Sequence, residues 1–218
     1  MKILIGITTA DTVCHETMES LFNLKRPEGV ELILRIHHAY NVAEGRNQLV
    51  KMAFNEHCEY IFFVDSDIIL PDFALEKLLA ANVDVINGTY PRKEMDTITN
   101  ANPFTTLYRH DPRGMNKINF GPFFMSQAEM PKEGVFPVDS AGLGCTLIHM
   151  STFVKLGGRD DWFVFAKEDA QIDLGPYCLG EDLYFYRSCL RADIQPYAEG
   201  SVRCGHVGKM IYRLKEQK

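Results

Sequence analysis

No two cysteines in the sequence form a CxxC pair, which argues against a zinc ribbon or a redox dithiol. The six cysteines, Cys14, Cys58, Cys145, Cys178, Cys189 and Cys204, are irregularly spaced and too sparse in 218 residues for a disulfide scaffold. They read as buried free thiols in a reducing compartment. No stretch approaches the roughly 20 apolar residues of a membrane helix. The opening run Met1 to Ile7 carries one positive side chain and stops at Thr8, Thr9 and Asp11, so it reads as a buried first strand and not as a signal peptide. Basic residues are in deficit, 23 Lys plus Arg against 29 Asp plus Glu, for a formal charge of −6. A global footprint for nucleic acid is therefore missing, while a local basic groove stays open. There is no internal repeat and no low-complexity segment. These absences point to a soluble, cytoplasmic protein.

What is present is ordinary globular composition, 46% hydrophobic and 24% charged. That excludes a disordered chain, a collagen and a coiled-coil rod, and the length suffices for a sizeable core. The first ninety residues alternate strand and helix. Strands are expected at 2–9, 30–37, 59–64 and 83–86, and helices at 13–25, at 42–57 behind an Asn41 cap, and from Pro71 to Ala81. Such alternation implies crossover units and a mainly parallel sheet. Residues 90–137 are rich in Pro, Gly, Asn and Met and read as loops and short strands, an antiparallel layer or a lid. A strand is expected at 143–150 and a short helix at 151–156. A mobile loop follows at 159–180, then a helix at 181–190 and two short strands at 194–197 and 201–204.

The strongest local signal is the acidic pair Asp65 and Asp67, directly after the apolar run Tyr60 to Val64. Ligands of open parallel sheets bind at the carboxyl ends of strands, and two carboxylates there suit a divalent cation. The competing reading is a simple turn. Gly180-Glu181-Asp182 opens a helix, either as plain dipole and capping residues or as a general base facing a substrate hydroxyl. His206 makes chemical sense as a third ligand beside carboxylates, a mixed donor set that suits manganese better than calcium. Arg46, in Glu44-Gly45-Arg46-Asn47, faces a phosphate, braces a site carboxylate, or is an exposed helical arginine. Arg92 and Lys93 leave the fourth strand where a diphosphate could sit, or belong to a solvated loop. Trp162, in a polar loop, reads as a stacking platform for an acceptor, with Phe163 and Phe165 assigned to the core.

Taken in order, these signals resemble the GT-A glycosyltransferases, in particular small prokaryotic and phage relatives of the large inverting family two. The resemblance runs from about residue 2 to residue 208, and residues 44–71, 83–93, 142–153 and 180–208 carry it. It implies an α/β fold, a GT-A (Rossmann-like) αβα sandwich with a mainly parallel central sheet and a smaller antiparallel acceptor-side layer. It also implies one domain over 1–218, with a nucleotide-sugar half at about 1–90 and an acceptor or lid half at about 91–218. By resemblance, Thr8, Thr9 and Asp11 line the base and ribose, and Arg46, Asn47, Ser66 and Arg92 lie near the nucleotide. Asp67 is the main ligand of Mn2+ (or Mg2+), with Asp65 nearer the ribose or metal and His206 as the C-terminal ligand. Gly142 and Gly144 let the backbone approach the donor, and Asp182 of the Glu181-Asp182 pair is the general base. The family often has a longer C-terminal region with membrane or interface helices, whereas this sequence stops at Lys218, and Gly45 replaces the usual alanine.

The activity implied is metal-dependent transfer from a nucleotide-diphosphate sugar to an acceptor hydroxyl, with inversion. A UDP-sugar is the favoured donor and a GDP-sugar the other. The acceptor is a glycan, a glycolipid, a small molecule or a modified nucleobase. The last would make the chain a modifier of phage-type DNA, with Arg109, Arg113 and Lys117 as a modest basic cluster. A nucleotidyltransferase would carry a Gly-rich, Arg-bearing loop near the N-terminus, which is missing here. A non-catalytic nucleotide-sugar-binding relative would not need Asp65, Asp67, Asp182 and His206 intact.

Overall fold

A computed structural model of the chain describes residues 1–93, 104–109, 123–157, 160–168, 177–208 and 211–213. Arg113 and Lys117 of the expected basic cluster lie outside the described residues, as does the side chain of Cys178.

The first part alternates as the periodicity predicts, with one unexpected short strand, β4, after the acidic turn: β1 (Lys2–Thr9), α1 (His15–Phe22), β2 (Glu31–His38), α2 (Val42–Asn55), β3 (Tyr60–Val64), β4 (Ile68–Ile69), α3 (Ala74–Ala80) and β5 (Val85–Thr89). Asn41 caps α2 as expected, its side chain accepting the Ala43 and Glu44 N–H groups at 3.0 and 3.4 Å. The middle contributes short strands, β6 (Phe104–Arg109), β7 (Phe123–Ser126), β8 (Val135–Pro137) and β9 (Ser140–Ala141). Then follow β10 (Cys145–His149), α4 (Ser151–Lys155), β11 (Ala166–Glu168), β12 (Tyr177–Leu179), α5 (Glu181–Arg191), β13 (Tyr197–Arg203), β14 (Gly205–Val207) and β15 (Ile211–Tyr212).

Seven strands form the central sheet in the order β2-β1-β3-β10-β5-β13-β8. β1 is parallel to β2 and β3, and β13 is parallel to β5. β10 is antiparallel to both β3 and β5, so those two share a direction, and β8 is antiparallel to β13. The sheet is thus mainly parallel, with one reversed strand inside it and one at its edge. Smaller antiparallel sheets join β7-β6-β9, β15-β14-β4 and β11-β12. This is the expected α/β class, consistent with a Rossmann-like GT-A arrangement.

Side chains alternate across the sheet because successive strand residues face opposite sides. Leu4, Ile61, Phe63, Val85 and Ile148 pack on one face with α2, α4 and α5, through Leu49, Val50, Phe153, Phe185 and Tyr186. Ile3, Ile5, Ile7, Phe62, Val64, Ile86 and Leu147 pack on the other with α3, through Ala74, Leu75 and Leu78. Burial of each large side chain contributes about 1.5–3 kcal/mol, so both faces are strongly specified.

Two expectations need correction. Residues 194–204 do not form two short strands. β13 runs through Gly200 with a register shift between Ala198 and Arg203, and the chain before β8 approaches Gly200 so closely that a side chain there would meet the Pro131 carbonyl oxygen at 2.5 Å. The segment from 160 to 168 is not simply a polar loop. Trp162 and Phe163 are buried in the core, and Ala166–Glu168 pairs with Tyr177–Leu179.

The topology gathers one end of every central element. The carboxyl ends of β1, β3, β5 and β13 share an edge of the sheet. The reversed β10 brings its amino end there, with Cys145 opposite Val64. Helices that lead into parallel strands run against them, so the amino ends of α2 and α5 come to the same edge. The opposite edge holds a concavity of about 460 Å³ lined by residues including Tyr60, Asp84, His149 and Tyr197, and it contains none of the residues singled out from the sequence.

Candidate active site

Arg46, in the second turn of α2, is the centre of the arrangement. Its side chain is 4% exposed. Nη2 donates to Asp65 Oδ1 at 2.8 Å and Nη1 donates to Glu181 Oε1. One guanidinium therefore ties the end of β3 to the start of α5, Arg46 and Glu181 being 135 residues apart in sequence. Burial works against its charge, but Asp65 and Glu181 outweigh that and raise its pKa further. Of the three sequence readings, the brace on a site carboxylate is the one realised. Gly45 permits it, since a side chain there would meet Thr8 Cγ2 at 2.6 Å and push α2 off β1.

Asp65 is also fixed through its backbone, whose N–H donates to the Gly144 carbonyl at 3.1 Å. The glycines before β10 are explained by Tyr90. A side chain on Gly142 would lie 2.3 Å from the Tyr90 hydroxyl, and one on Gly144 would lie 2.7 Å from Asp65 Oδ2 and 2.8 Å from that hydroxyl. The Gly144 N–H donates to the Tyr90 hydroxyl at 2.9 Å, and burial holds the phenol protonated by pushing its pKa well up. Within the protein, the close approach these glycines allow is to Tyr90 and Asp65.

Asp67 and His206 are joined by strand pairing. β14 lies antiparallel to β4 with His206 opposite Ile68, and the Val207 N–H donates to the Asp67 carbonyl at 2.8 Å. His206 Nδ1 lies 2.8 Å from the Pro91 carbonyl. A carbonyl only accepts, so Nδ1 carries the proton, and Nε2 is directed at Asp67 Oδ1, 3.5 Å away. This is the orientation found in metal-binding histidines, with one ring nitrogen held by a backbone carbonyl. The ring also packs edge-on against Tyr90, with centroids 5.3 Å apart. The other oxygen of Asp67 accepts from Lys93 Nζ. Burial alone would raise the Asp67 pKa, but the neighbouring His206 and Lys93 prevail and hold it below the usual carboxylate range.

Asp182 sits in the first turn of α5. Burial is the main force raising its pKa to about 6, assisted by the charges of Glu181 and Asp65 and opposed by the Leu183 N–H and by Arg46. A carboxylate that titrates near neutrality at the carboxyl edge of a sheet has the properties of a general base.

The remaining sequence candidates divide. Thr8 and Thr9 end β1, and the Thr9 hydroxyl donates to the Thr12 carbonyl at 2.8 Å and accepts the Asp11 N–H at 3.2 Å. Asp11 is exposed beside them. The Ser66 carbonyl accepts from the Cys14 N–H at 2.8 Å and from the Thr17 hydroxyl at 3.2 Å, which fastens the acidic turn to α1. Arg92 leaves β5 at the same edge, its N–H donating to the Phe104 carbonyl at 3.3 Å. Asn47 points elsewhere. Its amide clamps Phe163, donating to the carbonyl at 2.9 Å and accepting the N–H at 3.0 Å, so both ends of the side chain are used inside the protein and neither is left for a nucleotide. Trp162 is corrected as well. It is 7% exposed, its indole N–H donates to the Phe153 carbonyl at 3.1 Å, and its ring packs on Phe54 and Phe153. It is a core residue and presents no platform to an acceptor.

Sequence reasoning passed over Tyr90, which organises Gly142, Gly144 and His206, and noted Lys93 only as one of two strand-end cations. A small-residue pair opposite a buried tyrosine is legible only once β10 is known to lie beside β5.

Among the described residues, no group of three His, Cys, Asp or Glu side chains is gathered to hold an ion unaided. Asp67 and His206 supply an oxygen and an imidazole nitrogen on one side, a partial set that fits manganese or magnesium completed by phosphate oxygens or water. No described helix is long and apolar enough to cross a membrane.

No protein-family model matches the sequence, and no curated protein matches it. Among solved structures, the crystal structure of A197 from STIV superposes with a TM-score of 0.60 at 18% identity, covering 100% of this chain and 96% of that one. S. aureus TarS 1-349, solved in complex with UDP-GlcNAc, gives a TM-score of 0.47 at 14% identity, and the chain spans 60% of its length. The likeness to A197 is one of fold: the two chains share this α/β architecture over nearly their whole lengths.

Proposed function

We propose that the chain is a glycosyltransferase that moves a sugar from a nucleotide-diphosphate donor to an acceptor hydroxyl, with inversion and with a divalent cation bound beside Asp67 and His206. The observation that carries the reading is the gathering of Asp65, Asp67, Glu181 and Asp182 at one sheet edge around Arg46 and Lys93. Such a site repels a diphosphate unless a further cation joins it. Manganese or magnesium held by Asp67, His206 and phosphate oxygens would supply that charge and stabilise the leaving nucleoside diphosphate.

The chain's own groups do the rest. Arg46 holds Asp65 and Glu181 in place, so these two carboxylates need little reorganisation when the donor arrives. Thr8, Thr9 and Asp11 border the same edge and suit the base and ribose, and Arg92 suits a phosphate. Asp182 takes the proton of the acceptor hydroxyl as that oxygen attacks the anomeric carbon from the face opposite the leaving diphosphate. A UDP-sugar is the favoured donor.

The test is release of nucleoside diphosphate from a panel of UDP- and GDP-sugars with manganese, against the same panel with EDTA. Metal-dependent release from one nucleotide class is the expected result. Asp182→Asn should lower turnover about 10²- to 10⁴-fold, the usual range for a positioned base, while donor affinity stays within about threefold. Release that ignores EDTA, or an Asp182→Asn protein with parental turnover, overturns the reading.

A further inference from the structure

Building on the metal-dependent donor binding proposed above, we infer that Lys93 is an exchangeable counter-ion of Asp67, displaced when a divalent cation binds and then taken over by the donor diphosphate. The two acids of the pair are not equivalent. Asp65 is held by Arg46, which is 4% exposed and locked to Glu181 as well. Asp67 is held by Lys93, whose side chain is 41% exposed on a flexible four-carbon stem. The backbone behind Lys93 is anchored, since Pro91 bridges to Thr105 and the Arg92 N–H donates to the Phe104 carbonyl at 3.3 Å. The ammonium can therefore leave Asp67 while its stem stays at the site.

Asp67 Oδ2 accepts from Lys93, and Oδ1 faces His206 Nε2 at 3.5 Å. A divalent ion bound by Asp67 and His206 would sit within a few ångströms of the ammonium, and like charges at that range repel strongly. Binding of the ion alone thus breaks the Lys93–Asp67 pair and gives Lys93 no new anionic partner. Binding of the ion with a diphosphate gives Lys93 a new anionic partner. Ion and diphosphate are therefore bound cooperatively, and the coupling is reciprocal. Lys93 makes the empty site a poor scavenger of free metal and an effective receptor for the metal–diphosphate pair.

The test is titration of Mn2+ by electron paramagnetic resonance, with and without UDP, on the parent chain, Lys93→Met, Lys93→Arg and Asp67→Ala. Lys93→Met should bind Mn2+ alone about 5- to 10-fold more tightly than the parent, within the usual span of coupling factors. UDP should improve its Mn2+ affinity less than it improves the parent's, and Lys93→Arg should behave like the parent. If Mn2+ binding is lost in Asp67→Ala yet unchanged or weakened in Lys93→Met, the inference about Lys93 fails alone. If Asp67→Ala binds Mn2+ and UDP as the parent does, the donor-site reading beneath it fails too.

Discussion

At the scale of single residues, Asp182 meets two opposed demands. Its place in the first turn of α5 favours a negative charge at a helix amino end, while burial and the neighbouring Glu181 disfavour it, and burial prevails with a pKa of about 6. The sign of the effect on stability follows. The folded chain holds this proton more tightly than the unfolded one, so the contribution is complete below the unfolded value of about 4 and is lost as pH rises through about 6. At neutral pH the ionised carboxylate therefore lowers stability. Asp182→Asn should raise stability by about 1–3 kcal/mol at pH 7.5, and the gain should shrink toward zero near pH 4. Urea denaturation of both proteins across pH 4–8 checks this, and a gain that does not vary with pH would contradict it. In the parent, turnover should rise with pH through about 6 as the base ionises. Arg46 shows the converse case, a buried cation kept by two acids, and its loss would leave Asp65 and the mostly buried Glu181 without the cation they share.

At the scale of elements, the site depends on β10 and on a clamp from α2. β10 runs against its two neighbours, and this reversal brings Gly142 and Gly144 to Asp65 and Tyr90. Asn47 binds both polar backbone groups of Phe163, and this holds the segment bearing Trp162 against Phe153. Asn47→Ala should cost about 1–3 kcal/mol, since it leaves a buried N–H and carbonyl without partners. It should also speed hydrogen exchange of residues 160–165 ahead of the rest of the chain. An exchange pattern identical to the parent's would show that the clamp does not hold this segment.

These two features also mark where the sequence was legible. Strands and helices up to Thr89, β4 apart, are readable because each is amphipathic or apolar at its own period, and Asp65, Asp67, Asp182 and His206 are singled out by their motifs and by the resemblance those motifs carry. The direction of β10 is not readable, because a strand buried on both faces gives the same apolar run whether parallel or antiparallel. Trp162 was misread for a related reason. Its local surroundings, Arg159, Asp160 and Asp161, are polar, while the groups that bury it, Phe54, Phe153 and the Asn47 clamp, are remote or on another element.

At the scale of the whole molecule, a chain of net charge −6 draws segments from both ends of its sequence into one acidic edge. Long-range pairing does this: β14 on β4 sets His206 beside Asp67, and Arg46 sets Glu181 beside Asp65. The proposed function requires that an edge so charged accept a diphosphate only with added positive charge. The most direct measurement is calorimetric titration of UDP and GDP into the parent and Asp67→Ala proteins, with manganese and with EDTA. One nucleotide should bind the parent with manganese, and that binding should be lost both in EDTA and in Asp67→Ala. Equal binding in EDTA, or undiminished manganese-dependent binding by Asp67→Ala, would contradict it.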